Sequence, residues 1–306
     1  MSPNLKGIIA TLCASLCFVT SDTLVKLTAP HLPLGEILAI RGAILVTGLA
    51  VLIMMNGEWR HLVRLGDRLV VQRSLLEALI AYFFISALGV LPLANLTAIF
   101  LTAPLMMTAV SATLLRESVG WRRWSAVAAG FVGMLLVVKP SIQGFSLASL
   151  FGLAAAALSV ARDLTTRRIN PATPSLIVTL GASLSVALLG LSLGLVENWI
   201  APPSADLARL FATALALGGG SFSIIIAYRS AEASVISPFR YGVIILALLS
   251  GYLVWGERPD GPAFTGIAII LGANLYIVHR ERLRARSTAG KPSDHPSADN
   301  CHRDKR

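Results

Sequence analysis

The sequence predicts an all-α membrane protein of ten transmembrane helices, arranged as two inverted five-helix repeats. Three observations predict it. The 306 residues are 55% apolar and only 14% charged, with a mean hydropathy of +0.72, whereas a soluble domain carries about 25% charged residues. The apolar residues fall in runs of about 17–25, the length that crosses a hydrocarbon core. The stretch 87–120, ending LLRESVG, returns as a looser copy at 227–260, ending VWGERPD, with Glu117 and Glu257 standing 140 residues apart.

The first span, 7–27, is preceded by Lys6 alone and has no small-residue cleavage site followed by a soluble chain, so it reads as retained rather than removed. Cys13 and Cys17 share one of its faces as small packing residues. Asp22 and Lys26 stand four apart, acid before base, an order that suits pairing along the helix and an outer gate or rim. Span 34–55 carries Glu36 near one end and Arg41 deeper. Arg41 needs a partner, and Glu77 in span 73–91 is the candidate; a tie between helices and a substrate-binding pair both satisfy it. The turn Gly89–Pro92 is so short that span 94–115 must run back antiparallel, with Asn95 at its start. Span 122–138 has no internal charge, and Gly130 and Gly133 suit a close helix contact.

In the second half, span 147–166 ends on Arg162 and Asp163, before the basic pair Arg167 and Arg168. Spans 175–196 and 207–227 are mostly apolar, with Arg209 near the outer end of the second. Span 234–255 opens with Pro238, Phe239, Arg240 and Tyr241. Pro238 lacks an amide hydrogen and suits a helix start or break that exposes carbonyls to a cavity. Phe239 and Tyr241 flank the Arg240 cation, so these three, with Arg41, Glu77 and Asn95, form the expected substrate-binding set. Span 263–279 is again uncharged, with Gly266 and Gly272 for close packing. Glu117 and Glu257 close their spans at equivalent points of the two halves, which, like Pro238, gives them a structural role such as tying a helix end to a neighbouring start.

The repeats are therefore 1–140 (spans 1–5) and 141–280 (spans 6–10), and the polar stretch 281–306 is expected to be a disordered cytoplasmic tail. The net charge of +10 does not point to nucleic acid, because most of the 26 Lys and Arg fall in alternate short loops and in the tail. That asymmetry places both termini in the cytoplasm of a multi-pass inner-membrane protein. Three cysteines make no disulfide framework, and no cluster has metal-ligand spacing, so no metal and no cofactor are expected. No nucleophile elbow, zinc-protease motif or phosphate-binding loop occurs, so no catalytic residues are expected and direct ATP drive is excluded. Five spans per half inverts the second half relative to the first, a plan of secondary transporters with a substrate site where the repeats meet. The expected partners are a small-molecule substrate and the lipid bilayer; the glycine faces also permit a homodimer.

Together, SDTLVK in the first span and the two copies ending LLRESVGWRRW and LVWGERPD resemble the EamA-type transporters of the drug/metabolite transporter superfamily over residues 5–280. Several stretches are most similar to the bacterial riboflavin importers: LGEILAIRGAIL (34–45), LPLANLTAIFLTAPL (91–105), VGWRRW (119–124), ARDLTTRRINPATPSL (161–176) and SPFRYGVI (237–244). Relatives that move S-adenosylmethionine or amino acids hold looser versions, and Gly242-Val243 departs from the bulky residue common after that PF-x-Y motif. The resemblance implies alternating access, with riboflavin uptake as the leading expectation. Another small metabolite, taken up or exported, is the alternative.

Overall fold

The computed structural model describes residues 2–113, 121–139, 146–231 and 233–289, and among these it contains helices and turns and no strand. The helices are α1 (Pro3–Thr28), α2 (Leu34–Met55), α3 (Arg68–Leu88), α4 (Leu93–Phe100), α5 (Ala103–Thr113), α6 (Trp121–Val138), α7 (Leu147–Thr166), α8 (Ser175–Leu193), α9 (Ser204–Ser230), α10 (Ala233–Arg240), α11 (Gly242–Trp255) and α12 (Gly261–Ala289). A 3-10 segment, Glu58–Gly66, links α2 to α3. Eight stretches are long and apolar enough to cross a membrane, with α4 and α5 counted as one; α6 and α11 are shorter apolar helices.

Local chemistry sets where the helices begin. Ser2 accepts the Leu5 amide at the head of α1, and Pro3 fills the first turn, where an amide hydrogen has no partner anyway. Prolines 33, 92, 174 and 203 each stand immediately before a helix, fixing the approach but offering no side-chain cap. At two of these starts a distant carboxylate supplies the cap. Glu197 accepts the Gly35 amide at 2.9 Å and Glu257 accepts the Leu93 amide at 3.0 Å, each negative charge meeting the positive end of a helix dipole.

Two expected spans are broken. The fourth is divided into α4 and α5 at Leu101–Thr102, just ahead of Pro104. The exposed Leu101 carbonyl takes a hydrogen bond from Asn274 of α12 at 3.1 Å, and Asn274 is itself almost fully buried. A neighbouring helix thereby satisfies the backbone group the break leaves open, which is what allows irregular backbone at this depth. The ninth span divides at Tyr241, so Pro238 lies inside α10 and neither starts a helix nor marks the break. Helix boundaries also run past the apolar windows: α3 starts at Arg68 rather than 73, and α12 continues to Ala289, beyond the start of the expected tail at 281. Hydropathy reads the apolar length, whereas helical hydrogen bonding continues into water. Residues 290–306 lie outside the described part.

The packing is pairwise across the midpoint of the chain. α1 lies along α9, α3 along α7, α2 along α8, and α6 along α12, while α4 meets α11. At the α6–α12 contact, a Cβ on Gly133 would sit 2.8 Å from the Gly266 carbonyl oxygen, so only glycine permits this approach. Gly130 packs against Leu105, but Gly272 faces open space and takes no part. Buried Val19, Leu38, Ile85, Leu88, Leu96 and Leu210 join α1, α2, α3, α4 and α9 into one apolar core. One end of the bundle gathers the end of α1 with the starts of α2, α4, α9 and α12 and is called here the Lys26 end; the other is the Arg162 end.

Candidate functional site

Six ionisable side chains line up between the two halves, three carboxylates and three guanidiniums. Glu77 on α3 pairs with Arg73 one turn earlier (3.2 Å) and with Arg162 on α7 (3.3 Å). Arg162 also donates to its neighbour Asp163, at 2.9 Å from Nε and 2.8 Å from Nη2. This network ties α3 to α7 toward the Arg162 end. Deeper in the bundle stand Asp22, six residues before the end of α1, and Arg41, seven after the start of α2. At about 1.5 Å of rise per residue, both lie about 10 Å in from the Lys26 end. Arg41 is 8% exposed, and its buried Nε has no hydrogen-bond partner. The charges that act on it are those of Asp22 and Glu77. Glu77 thus acts on Arg41 through space, while its direct ion pairs go to Arg73 and Arg162.

An aromatic group borders this column. Tyr82 and Phe83 on α3 and Phe151 on α7 meet edge to face, with centroids 5.3 Å (Tyr82–Phe83) and 5.2 Å (Phe83–Phe151) apart. They lie between one and two turns along α3 from Glu77, toward the Lys26 end.

The Lys26 end is closed by a second cluster. The expected pairing of Asp22 with Lys26 does not form. Lys26 reaches Glu257 Oε1 at 2.5 Å and the Leu91 carbonyl at 2.8 Å, and lies 4.8 Å from the Trp255 ring centre. The other Glu257 oxygen holds the first amide of α4. Gly256, left-handed at φ 67°, ends α11 and turns the chain so that the Glu257 amide returns to the Gly251 carbonyl. Three helices, α1, α4 and α11, therefore meet on one carboxylate, which is why Lys26 prefers it to the lone Asp22 a turn deeper. Asn95 lies here too, in a cleft of about 240 Å³ lined by Pro92, Lys139, Leu248, Glu257 and Asp260, and not beside Arg41. Its buried Oδ1 has no partner. Lys139 and Asp260 pair across this cleft, and that contact with the Ala263 amide holds the Asp260 carboxyl below its usual range.

The Arg240 group is placed differently from expectation. Arg240 is exposed and donates to the Tyr228 hydroxyl at 2.9 Å, and Phe239 is 37% exposed. Tyr241 is half-buried at the α10–α11 break. None of the three joins the charged column. Glu117 lies outside the described residues. Of the residues left out of the expected site, Arg73 and Arg162 looked like loop and edge cations, and Phe151 was an ordinary apolar residue. Asn274 did carry a signal, as the one amide side chain in span 263–279.

Residues 5–139 match the EamA-like transporter family. A riboflavin transporter of Rhizobium johnstonii is 29% identical over 231 residues, 76% of this chain and 74% of its own length. An S-adenosylmethionine uptake transporter of Rickettsia prowazekii is 25% identical over 195 residues, 64% of this chain and 66% of its own. One solved crystal structure superposes with a TM-score of 0.59 at 19% identity, covering 93% of this chain and 98% of that one, which establishes a shared fold. This is a multi-pass helical chain, similar along most of its length to small-metabolite transporters and matching the EamA-like transporter family over residues 5–139.

Proposed function

We propose that the protein is a secondary transporter of the inner membrane, not an enzyme, that works by alternating access and takes up riboflavin. Its ten crossings form two inverted five-helix repeats, residues 1–140 and 141–280, with α4–α5 and α10–α11 each acting as one broken crossing. Both termini, the tail from 281 and the Arg162 end face the cytoplasm, and the Lys26 end faces outward.

The observation that carries this reading is the pairing of helices across the chain midpoint. If the halves are related by a two-fold axis in the membrane plane, the α1–α9 contact must have α3–α7 as its image. The α2–α8 and α6–α12 contacts must map onto themselves. The α1–α9, α2–α8, α6–α12 and α3–α7 contacts are the most extensive between helices. Element starts agree: α2 and α8 begin 141 residues apart, α4 and α10 begin 140 apart, and so do α6 and α12. The column of six charges lies in the seam this arrangement creates. Charged residues within spans cost roughly 2.5–3.5 kcal/mol each on insertion scales, and their retention there marks a substrate path.

The substrate site in this reading centres on Arg41, Asp22 and Glu77, with Tyr82, Phe83 and Phe151 as the flat apolar wall. Riboflavin offers a planar ring system for that wall. Its imide, with carbonyl acceptors beside an N–H donor, is complementary to a guanidinium next to a carboxylate. The resemblance to riboflavin transporters supports this choice. S-adenosylmethionine is the second reading, favoured by the Rickettsia relative and by the same Arg41–Asp22 arrangement, which suits an amino-carboxylate.

Labelled riboflavin uptake in a bacterial strain that neither makes nor imports it is the test. Uptake above the empty vector, blocked by unlabelled riboflavin and not by S-adenosylmethionine or amino acids, is expected. With the protein present in the membrane, absence of uptake overturns the riboflavin assignment, and block by S-adenosylmethionine moves it to the second substrate.

A further inference from the structure

We propose that Asp22 is the proton-binding group of the transport cycle, with Arg41 as its counter-ion, so that transport is coupled to protons. This rests on the transporter reading above and adds a coupling function to it. The other acidic side chains within α1–α11 are already engaged. Glu36 accepts the Ile200 amide, Glu77 pairs with Arg73 and Arg162, Asp163 pairs with Arg162, and Asp206 pairs with Arg209 and faces His31. Glu257 and Asp260, just beyond α11, hold Lys26 and Lys139. Among the carboxylates of α1–α11, Asp22 alone makes neither a hydrogen bond nor an ion pair, and it lies at the same depth as Arg41, whose buried Nε has no partner.

The surroundings isolate these two groups from other titrating side chains. Arg41 on α2 is the charge that acts on Asp22, and Glu77 on α3 acts on Arg41. α9, the main neighbour of α1, carries no Asp, Glu, Lys, Arg or His between Arg209 and Arg229. α11 presents Ser250, whose hydroxyl is hydrogen-bonded to Thr23 at 2.6 Å, and the Arg240 cation of α10 is directed to Tyr228. A proton on Asp22 removes one charge of the pair and frees Arg41 for a substrate acceptor; loss of that proton restores the attraction and competes with the substrate. The proton enters from one side of the membrane and leaves to the other as access alternates, so charge and proton balance close with no other reactant.

A substrate-free readout separates this proposal from the riboflavin assignment. Dicyclohexylcarbodiimide adds to a protonated carboxyl in an apolar setting and leaves a stable acylurea. Purified full-length protein in liposomes is treated at a series of pH values, and the Asp22 peptide is quantified by mass spectrometry. The expected result is labelling at Asp22 that falls by about tenfold or more as the pH of the series is raised, as for a single titrating carboxyl. Absence of labelling, or labelling that does not change with pH, overturns the proposal. In the same liposomes, an inward proton gradient is expected to raise wild-type riboflavin accumulation several-fold. Asp22→Asn is expected to abolish that rise. A D22N protein that still accumulates riboflavin in response to the gradient also overturns it. Normal Asp22 titration without riboflavin counterflow in the wild type refutes the substrate assignment and leaves the proton site in place.

Discussion

At the scale of single residues, the decisive contrast is between Arg41 and Arg240. Both are arginines in apolar runs, and the sequence gives Arg240 the richer setting, with a proline before it and aromatics on either side. The structure reverses their standing, because burial depends on which helix face meets the partner half, and that is a property of packing alone. Arg41→Ala is expected to lower uptake at least about tenfold, and Arg240→Ala to change it less than about twofold, read as initial rates at matched membrane expression. The Lys26–Glu257 tie is the second residue-scale test. Lys26→Ala leaves a mostly buried carboxylate with one charged partner fewer, an effect of about 1–3 kcal/mol on stability. The K26E/E257K double exchange is expected to recover part of the loss in detergent-solubilised melting temperature, and no recovery would show that orientation at Leu93, not charge pairing, holds the site. The Asp22–Lys26 spacing was legible in the sequence and its partner was not, since Glu257 lies 231 residues away. Protonation at the exposed Asp260 is a separate matter. Its folded carboxyl is depressed by Lys139, so the contribution of that contact is present above the ordinary carboxylate range and lost as pH falls through it. Any change in transport between about pH 6 and pH 8 is therefore assigned elsewhere, and Lys139→Ala is expected to leave such a profile unshifted.

At the scale of elements, positions of apolar segments were readable because a span has a fixed length requirement, and the ten expected segments each coincide with a helix or a broken pair. Breaks were harder. Pro238 was expected to start or break a helix, yet the break falls three residues after it, and the break at Leu101–Thr102 was not expected at all; there Asn274 of another helix donates to the opened Leu101 carbonyl. Asn274→Ala removes that donor from a buried carbonyl, with an expected loss of about 1–3 kcal/mol, checked as a lowered unfolding midpoint in detergent. Asn274→Asp, which presents no amide donor, is expected to be at least as damaging. The Gly133–Gly266 contact was legible as small residues in two uncharged spans, though Gly272 shares that pattern and faces open space. Gly133→Leu forces α6 and α12 apart and is expected to cost about 1–3 kcal/mol, whereas Gly272→Leu is expected to be nearly neutral in the same melting assay. The 3-10 segment Glu58–Gly66 escaped the sequence reading because it is too short and too charged for either helical period to stand out.

For the molecule as a whole, the repeat offset and the placement of charges imply a two-fold plan whose seam holds Arg41, Asp22 and Glu77. The proposed plan starts from two copies of one motif at a fixed offset, which the sequence displays; the neighbours of Arg41 and Glu77 became visible only when α2 and α3 were set against α8 and α7. The central claim is that this seam, and not the Arg240 motif, is the transport path. The measurement that tests it most directly is labelled-riboflavin uptake by the wild type, Arg41→Ala and Arg240→Ala, side by side in the strain lacking synthesis and import. The account predicts uptake by the wild type and by Arg240→Ala and near-background uptake by Arg41→Ala. Retained uptake in Arg41→Ala with loss in Arg240→Ala would contradict it and place the path on the α10 side of the molecule.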